Sequence, residues 1–284
     1  MKPTAVLLIT CPDTRGIVAA VSEFLYAHAA NILHADQHQD AERALFFMRV
    51  EWDLAGFAVA PGEFAARFQA IADRFQMAWR FETTDRRPRV ALFVSKYDHC
   101  LQDLLYRHQS GELPCDIPLI VGNHPDAKRW ADFHGVPFHH VPVEPGRKAE
   151  AEANQHRLLK DHGIDLVVLA RYMQVLSADF VGCYPGRIIN VHHSFLPAFS
   201  GAKPYHRAFA RGVKLIGATS HYVTDELDEG PIIEQDVVRI SHRDGLPDLL
   251  EKGKDLEKAV LSRAVRWHIG HRILVYDRKT VVFD

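Results

Sequence analysis

Residues 186–235 read GRIINVHHSFLPAFSGAKPYHRAFARGVKLIGATSHYVTDELDEGPIIEQ, and the rest of the chain is organised around them. An apolar strand over 187–191 delivers Asn190, His192 and His193 to its carboxyl end. A loop broken by Pro197, Gly201 and Pro204 follows. A second apolar run, 213–218, then leads to His221 and the acidic turn Asp225-Glu226-Leu227-Asp228-Glu229-Gly230. A carboxamide, an imidazole and a carboxylate at the ends of buried strands suit acyl-group chemistry that needs neither a metal nor a covalent nucleophile. Taken singly these residues have ordinary uses: a strand-end Asn caps turns, and a core His bonds a backbone carbonyl.

Upstream, apolar runs of strand length at 90–94, 117–121, 166–170 and 188–191 alternate with helical candidates at 100–107, 127–133 and 148–161. Continuous Val/Ile/Leu strands divided by helices predict an α/β domain with a mostly parallel sheet covered on both faces. Ligands of such sheets bind beyond the carboxyl ends of the strands, where Asn190 and His192 stand. Further strands are expected at 213–222 and 232–240. A long amphipathic helix over 246–269 then precedes two short closing strands.

Residues 1–84 have a different pattern. Strand, helix, strand, strand, helix, strand succeed one another, the ferredoxin-like β-α-β-β-α-β order. The turn Cys11-Pro12-Asp13-Thr14-Arg15-Gly16 opens an amphipathic helix, with Ile17, Val18, Val21, Phe24, Leu25 and His28 recurring at helical spacing. The segment CPDTRGIVAAVSEFLYAHAANI resembles an ACT domain. The resemblance implies a regulatory module that pairs edge to edge with a second copy, making a homo-oligomer, and that takes an amino-acid effector near Asp13, Thr14 and Gly16; an alternative is oligomerisation without a ligand. The polar stretch 83–89, containing Pro88, is the expected linker, with a catalytic domain over 85–284.

With 284 residues, 47% hydrophobic and 25% charged, the chain has material for two ordinary cores. A net charge of −2 gives no electrostatic case for nucleic acid or an anionic membrane. The N-terminal apolar run 5–9 is too short for a signal peptide or a spanning helix. Cys11, Cys100, Cys115 and Cys183 form no CxxC pair, which predicts reduced thiols in a cytoplasmic protein. No metal is expected. The adjacent pairs His139-His140 and His192-His193 are predicted to point to opposite faces of a strand.

The motifs NVHHSFLP and HYVTDELDEGPII resemble those of the formyltransferase family that uses 10-formyltetrahydrofolate. The resemblance runs from about residue 90 to the C-terminus and implies a Rossmann-like domain. It implies catalytic roles for Asn190, His192 and Asp228, with His221 in support. It also implies a folate pocket walled by Arg171, Met173, Gln174, Val175 and Leu176 on one side and by Thr224 and Asp225 on the other. Apolar side chains with exposed backbone amides there suit a flat heterocycle.

Transferases of this family grip an acceptor's phosphate with a glycine-rich loop after the first strand. The corresponding residues, Val94-Ser95-Lys96-Tyr97-Asp98-His99-Cys100-Leu101, contain no glycine, and Asp98 would repel a phosphate; Lys96 and His99 remain as candidate anion holders. With no acceptor bound, water is the remaining nucleophile. The segment HHSFLPAFSGAKPY, and the ACT-like N-terminus, resemble the family's hydrolytic branch. That branch implies hydrolysis of 10-formyltetrahydrofolate to formate and tetrahydrofolate, to supply formate for purine synthesis or to balance the one-carbon folate pool, with no cofactor besides the substrate. The alternatives are a formyltransferase acting on a small amine and a non-catalytic folate or amino-acid sensor. The latter would have no use for Asp228.

Overall fold

The computed structural model describes residues 2–198 and 204–284, so Gly201 of the loop named above lies outside the described residues. The chain divides into two compact units. The first is the chain through Arg87 with Gly270–Tyr276 and Thr280–Asp284; the second is Pro88–Ile269 with Asp277–Lys279.

In the first unit β1 (Thr4–Pro12), α1 (Ile17–Ala27), β2 (Asn31–Asp40), β3 (Leu45–Asp53), α2 (Pro61–Arg74) and β4 (Ala78–Thr83) follow in the expected β-α-β-β-α-β order. The four strands form an antiparallel sheet in the order β2-β3-β1-β4. Gly16 caps α1 at φ 95°, a conformation that its missing Cβ permits and that turns the chain out of β1. Alternation along β1 assigns its side chains to two cores. Ala5, Leu7 and Ile9 join Val21, Phe64 and Phe68 under the helices. Val6 and Leu8 face the other way, with Phe47, onto Phe283, Leu274, Tyr276 and Val281 of the C-terminal strands. Because both faces are covered, Ala5 through Ile9 are all fully buried. β2, at the sheet edge, is exposed along almost its whole length.

The second unit has β5 (Arg89–Val94), α3 (His99–Gln109), β6 (Asp116–Gly122), α4 (Lys128–His134), β7 (Phe138–His140), α5 (Lys148–Asp161), β8 (Leu166–Leu169), α6 (Ala178–Gly182), β9 (Ile188–His192), α7 (Pro204–Arg211), β10 (Leu215–Tyr222), β11 (Ile232–Arg239) and α8 (Leu246–Ile269). The seven strands lie in the order β11-β10-β9-β8-β5-β6-β7. β7, β6, β5, β8 and β9 run parallel, while β10 and β11 are antiparallel additions. The short β7, α6 and α7 carry too few residues for their periodicity to be read from sequence. On one face Phe93, Val121 and Val167 pack with Leu158, Leu159 and Phe180; on the other, α8 lies against β9, β10, β11 and α3. The chain leaves β5 toward β6 and β7, then returns to build β8 and β9 on β5's other side. The strand order therefore reverses between β5 and β8, and the crevice opens beyond their carboxyl ends. The C-terminal strands are β12 (Ile273–Tyr276) and β13 (Lys279–Val282).

Two outcomes are expected of the first unit. Phe47 packs against Tyr276 with the rings tilted by 48° and their centroids 4.6 Å apart, so Phe47→Ala should empty the second core and lower unfolding free energy by about 3–5 kcal/mol in a urea titration. Burial, followed by the charges of Arg80 and Arg49, pushes the His271 imidazole down to about 4. The unfolded chain then binds a proton that the folded chain refuses between about pH 6.5 and 4. Stability should fall as the pH drops through that window, and His271→Asn should flatten the dependence in thermal melts.

Candidate active site

The β9–β10 register builds the centre. Asn190 lies directly opposite His221, and His192 opposite Thr219. Alternation along β9 puts Asn190 and His192 on one face, and directly opposed side chains of an antiparallel pair meet. The His221 ring is buried. Its Nδ1 lies 2.9 Å from the Tyr222 carbonyl, to which it donates, so Nε2 carries the lone pair and accepts from the Asn190 carboxamide nitrogen at 3.2 Å. Burial pushes the His221 imidazole below its ordinary value, which keeps that acceptor available at neutral pH. The carboxamide is held by one N–H and retains a second donor.

Asp228 closes the constellation. Its Oδ2 lies 3.1 Å from His192 Nδ1 and its Oδ1 lies 3.7 Å from His221 Nε2. The hydrogen bond from His192 is the largest influence on its carboxyl and, over the opposing effect of burial, holds it below the usual carboxylate range. Asp228 is therefore ionised at neutral pH, and His192 Nε2 is buried with no hydrogen-bond partner. The turn reaches this position through two backbone features. Asp228 adopts a φ of 57°, a left-handed conformation that Asp tolerates better than most residues. Gly230 lies against the Tyr222 carbonyl, where any Cβ would collide. Tyr222 N–H donates to Pro231 at 2.9 Å and returns the chain to β11.

These residues line a cavity of about 640 Å³ beyond the carboxyl ends of β5, β8 and β9. Arg171, Met173, Gln174, Val175 and Leu176 form its wall after β8, and Thr224 and Asp225 belong to the facing loop. The first wall is fixed from behind. Ser177 caps α6 by accepting from Phe180 N–H at 3.1 Å, and the buried Glu152 of α5 accepts from Ser177's own N–H at 2.8 Å. Gln155 donates to the Tyr172 hydroxyl at 2.8 Å. Met173 and Val175 are left half-exposed on the cavity side. Their backbone is less available than expected, since Met173 N–H donates to Ser95 Oγ at 2.9 Å.

His192 and His193 do not point to opposite faces. β9 ends at His192, the alternation ends with it, and the two rings lie 5.2 Å apart on the same cavity. His99 is not free to hold an anion, because its Nε2 lies 2.7 Å from Glu257 Oε2. Asp98 accepts from Trp130 Nε1 at 2.7 Å, and Tyr97 places its ring over the Arg171 guanidinium at 5.4 Å. Side chains thus occupy the place where a phosphate-gripping loop would offer bare N–H groups. In the first unit, Asp13 donates its N–H to the Ala44 carbonyl and takes a hydrogen bond from Gln39, while Thr14 and Gly16 are exposed.

Sequence reasoning missed Glu257, Tyr205 and Thr219. Thr219 Oγ1 donates to the Ser194 carbonyl and accepts from Leu196 N–H, pinning the loop after His192. Tyr205 closes the segment HHSFLPAFSGAKPY but has no role assigned there, Thr219 and Glu257 stand in none of the quoted motifs, and Glu257 is 65 residues from His192. Among the described residues one group, His99, Cys100 and Glu257, brings metal-ligating atoms together. Burial, then the Glu257 charge, raises the Cys100 thiol well above its ordinary value, and the Arg171 guanidinium already stands 3.3 Å from the carboxylate. A protonated thiol beside a fixed cation is a poor cation site.

The formyl transferase family model matches residues 88–265, and the ACT domain model matches 5–54. The formyltetrahydrofolate deformylase of Synechocystis sp. is 56% identical over 280 residues, 99% of this chain and 98% of its own. A crystal structure of a formyltetrahydrofolate deformylase from Pseudomonas syringae pv. tomato superposes with a TM-score of 0.97 at 50% identity, covering 100% of this chain and 95% of its own. Glycinamide ribonucleotide transformylase 1 from Symbiobacterium toebii superposes at 0.67 and 30% identity, covering 71% of this chain and 97% of its own. The chain therefore belongs to the formyl transferase family and, within it, to the formyltetrahydrofolate deformylases with an N-terminal ACT domain.

Proposed function

We propose that the chain hydrolyses 10-formyltetrahydrofolate to formate and tetrahydrofolate. The observation that carries this reading is the bonded set Asn190, His221, His192 and Asp228 on the wall of a cavity whose remaining end is lined by the side chains of Tyr97, Arg171, Tyr205 and Glu257. The pterin lies between 173–176 and Thr224–Asp225, with the formyl group against Asn190 and His192. Asp228 orients a water and takes its proton as the water oxygen bonds to the formyl carbon. The spare Asn190 N–H and protonated His192 Nε2–H donate to the oxygen that becomes anionic. Donors of this kind each lower a barrier by about 2.7–4 kcal/mol. Collapse breaks the C–N bond, with the proton delivered to the departing nitrogen, and releases formate.

The same reading extends to the setting. An edge strand as exposed as β2 favours pairing with a second copy, and the ACT turn at Asp13, Thr14 and Gly16 is the candidate place for an amino-acid effector. The four cysteines are thiols rather than disulfides, which favours the cytoplasm, and no helix among the described residues is long and apolar enough to cross a membrane. Formate release then serves purine synthesis or the balance of the one-carbon pool.

The deciding experiment is formate release from 10-formyltetrahydrofolate by the purified chain with no amine present. Stoichiometric formate and tetrahydrofolate are expected; turnover that appears only after an amine is added would establish a transferase instead. Asp228→Asn keeps the shape but loses the base, so kcat should fall at least about 10²-fold while folate affinity is preserved. Near-normal kcat would remove Asp228 from the mechanism.

A further inference from the structure

The turn that opens the cavity wall after β8 is held from two sides. β8 ends at Leu169, and two side chains just beyond it part company. Tyr172 joins the core beneath α5 and accepts a hydrogen bond from Gln155 at 2.8 Å. Arg171 turns to α8, its Nε 3.3 Å from Glu257 Oε2, with its guanidinium carbon 5.4 Å from the centre of the Tyr97 ring. Ser95 fixes the backbone between and beyond them. Its N–H donates to the Arg171 carbonyl at 3.3 Å, and its Oγ accepts from Met173 N–H at 2.9 Å. Met173 and Val175 then stand half-exposed on the cavity side.

Glu257 is a fixed anchor for this arginine. It is only 2% exposed, His99 Nε2 lies 2.7 Å from its Oε2, and the Tyr205 hydroxyl donates to its Oε1 at 3.0 Å. Burial alone would raise this carboxyl; the His99 hydrogen bond and the Arg171 charge outweigh it and hold the group below its ordinary value. Gly253, one turn before Glu257 in α8, lies against the Tyr205 ring, and a Cβ there would collide with the ring and its hydroxyl. The helix thus makes room for the tyrosine that orients the carboxylate.

Folding alone gives this arrangement little reason to exist. Arg171 adopts a φ of 63°, a left-handed conformation unusual for a long side chain. It is 8% exposed, and its buried Nε and Nη1 donate no hydrogen bond. Buried donors are nearly always paired, and a buried ion pair adds little net stability over apolar residues of similar size. Strained backbone persists where a site needs a shape that the surrounding structure must impose. We infer that Glu257 is a positioning residue for folate binding: through Arg171 it draws the turn after β8 toward α8, against the tie of Tyr172 to Gln155, and so sets where Met173–Leu176 stand along the cavity. Arginine suits the task because its long stem reaches α8 and its planar head packs on Tyr97. The inference deepens the folate reading above and rests on it. Asn190, His192 and Asp228 are held by separate bonds, so the chemical step stays with them.

The test measures tetrahydrofolate affinity of the full chain, with no turnover, beside KM, kcat and melting temperature. Glu257→Gln keeps the shape and removes the charge. Its tetrahydrofolate Kd and its KM for 10-formyltetrahydrofolate should each rise about tenfold while kcat stays within about threefold. Arg171→Met should weaken binding by a similar factor, and the double variant should be no worse than either single, because one tie is lost once. The double variant leaves no unpaired buried charge, so it should melt at least as high as wild type and still bind folate weakly. Affinity that returns together with stability in the double variant would show a merely structural pair and overturn the inference. Weakened binding in Arg171→Met with normal binding in Glu257→Gln would make Arg171 a direct folate contact and overturn the role of Glu257. If Glu257→Gln does not fold, Glu257→Asp, which keeps the charge and shortens the reach, takes its place; unchanged affinity there overturns the inference, and a rise in Kd of about threefold or more supports it. Wild type that binds tetrahydrofolate without releasing formate would overturn the hydrolase reading alone. Wild type that binds no tetrahydrofolate would overturn both.

Discussion

The antiparallel register of β9 and β10 is the constraint from which the site follows. A shift of one residue would turn Asn190 and His192 away from the cavity and leave His221 facing the wrong neighbour. In the observed register a single imidazole does two jobs with its two nitrogens. Nδ1 donates to its own strand's backbone at Tyr222, and Nε2 receives the Asn190 carboxamide from the strand beside it. The orientation of Asn190 is thereby set by sheet geometry rather than by a flexible loop, which is the preorganisation that oxyanion stabilisation needs.

Asp228 comes from an irregular turn, and the turn is held to the sheet by close backbone approach. Gly230 against the Tyr222 carbonyl and the left-handed Asp228 backbone together bring the carboxylate to His192. The cavity thus has a rigid wall made by strands and a second wall made by a loop whose shape depends on one glycine. At the far end the cavity is charged as well as shaped. The Arg171–Glu257 pair, with Tyr205 seated against Gly253, lines that end.

The N-terminal unit is organised by a sheet with two covered faces. β1 sends alternate residues to the helices and to the C-terminal strands, so its apolar run is unbroken. The buried Arg49 ties the same sheet to residues 270–271, donating to the His271 carbonyl at 2.9 Å and to Glu51 at 2.8 Å. A charged side chain with 5% exposure is tolerated there because its donors are met by a carboxylate and a carbonyl.

By itself the sequence determined what local patterning can encode. The β-α-β-β-α-β order, the parallel strands from residue 90 onward, the helix over 246–269 and the placement of Asn190 and His192 on β9 and of Asp228 in the acidic turn after β10 were all legible, because periodicity, turn residues and motif spacing are short-range signals. Only the tertiary structure decided which faces are covered and which charges meet. That the closing strands cover Val6, Leu8 and Phe47, that His193 turns into the cavity once β9 ends, and that Glu257 reaches Arg171 across 86 residues are results of packing between segments distant in the chain. A buried glutamate on an amphipathic helix reads in sequence like any surface glutamate. Its neighbours, not its spacing, make it a buried charge, and neighbours that far apart are fixed by the fold.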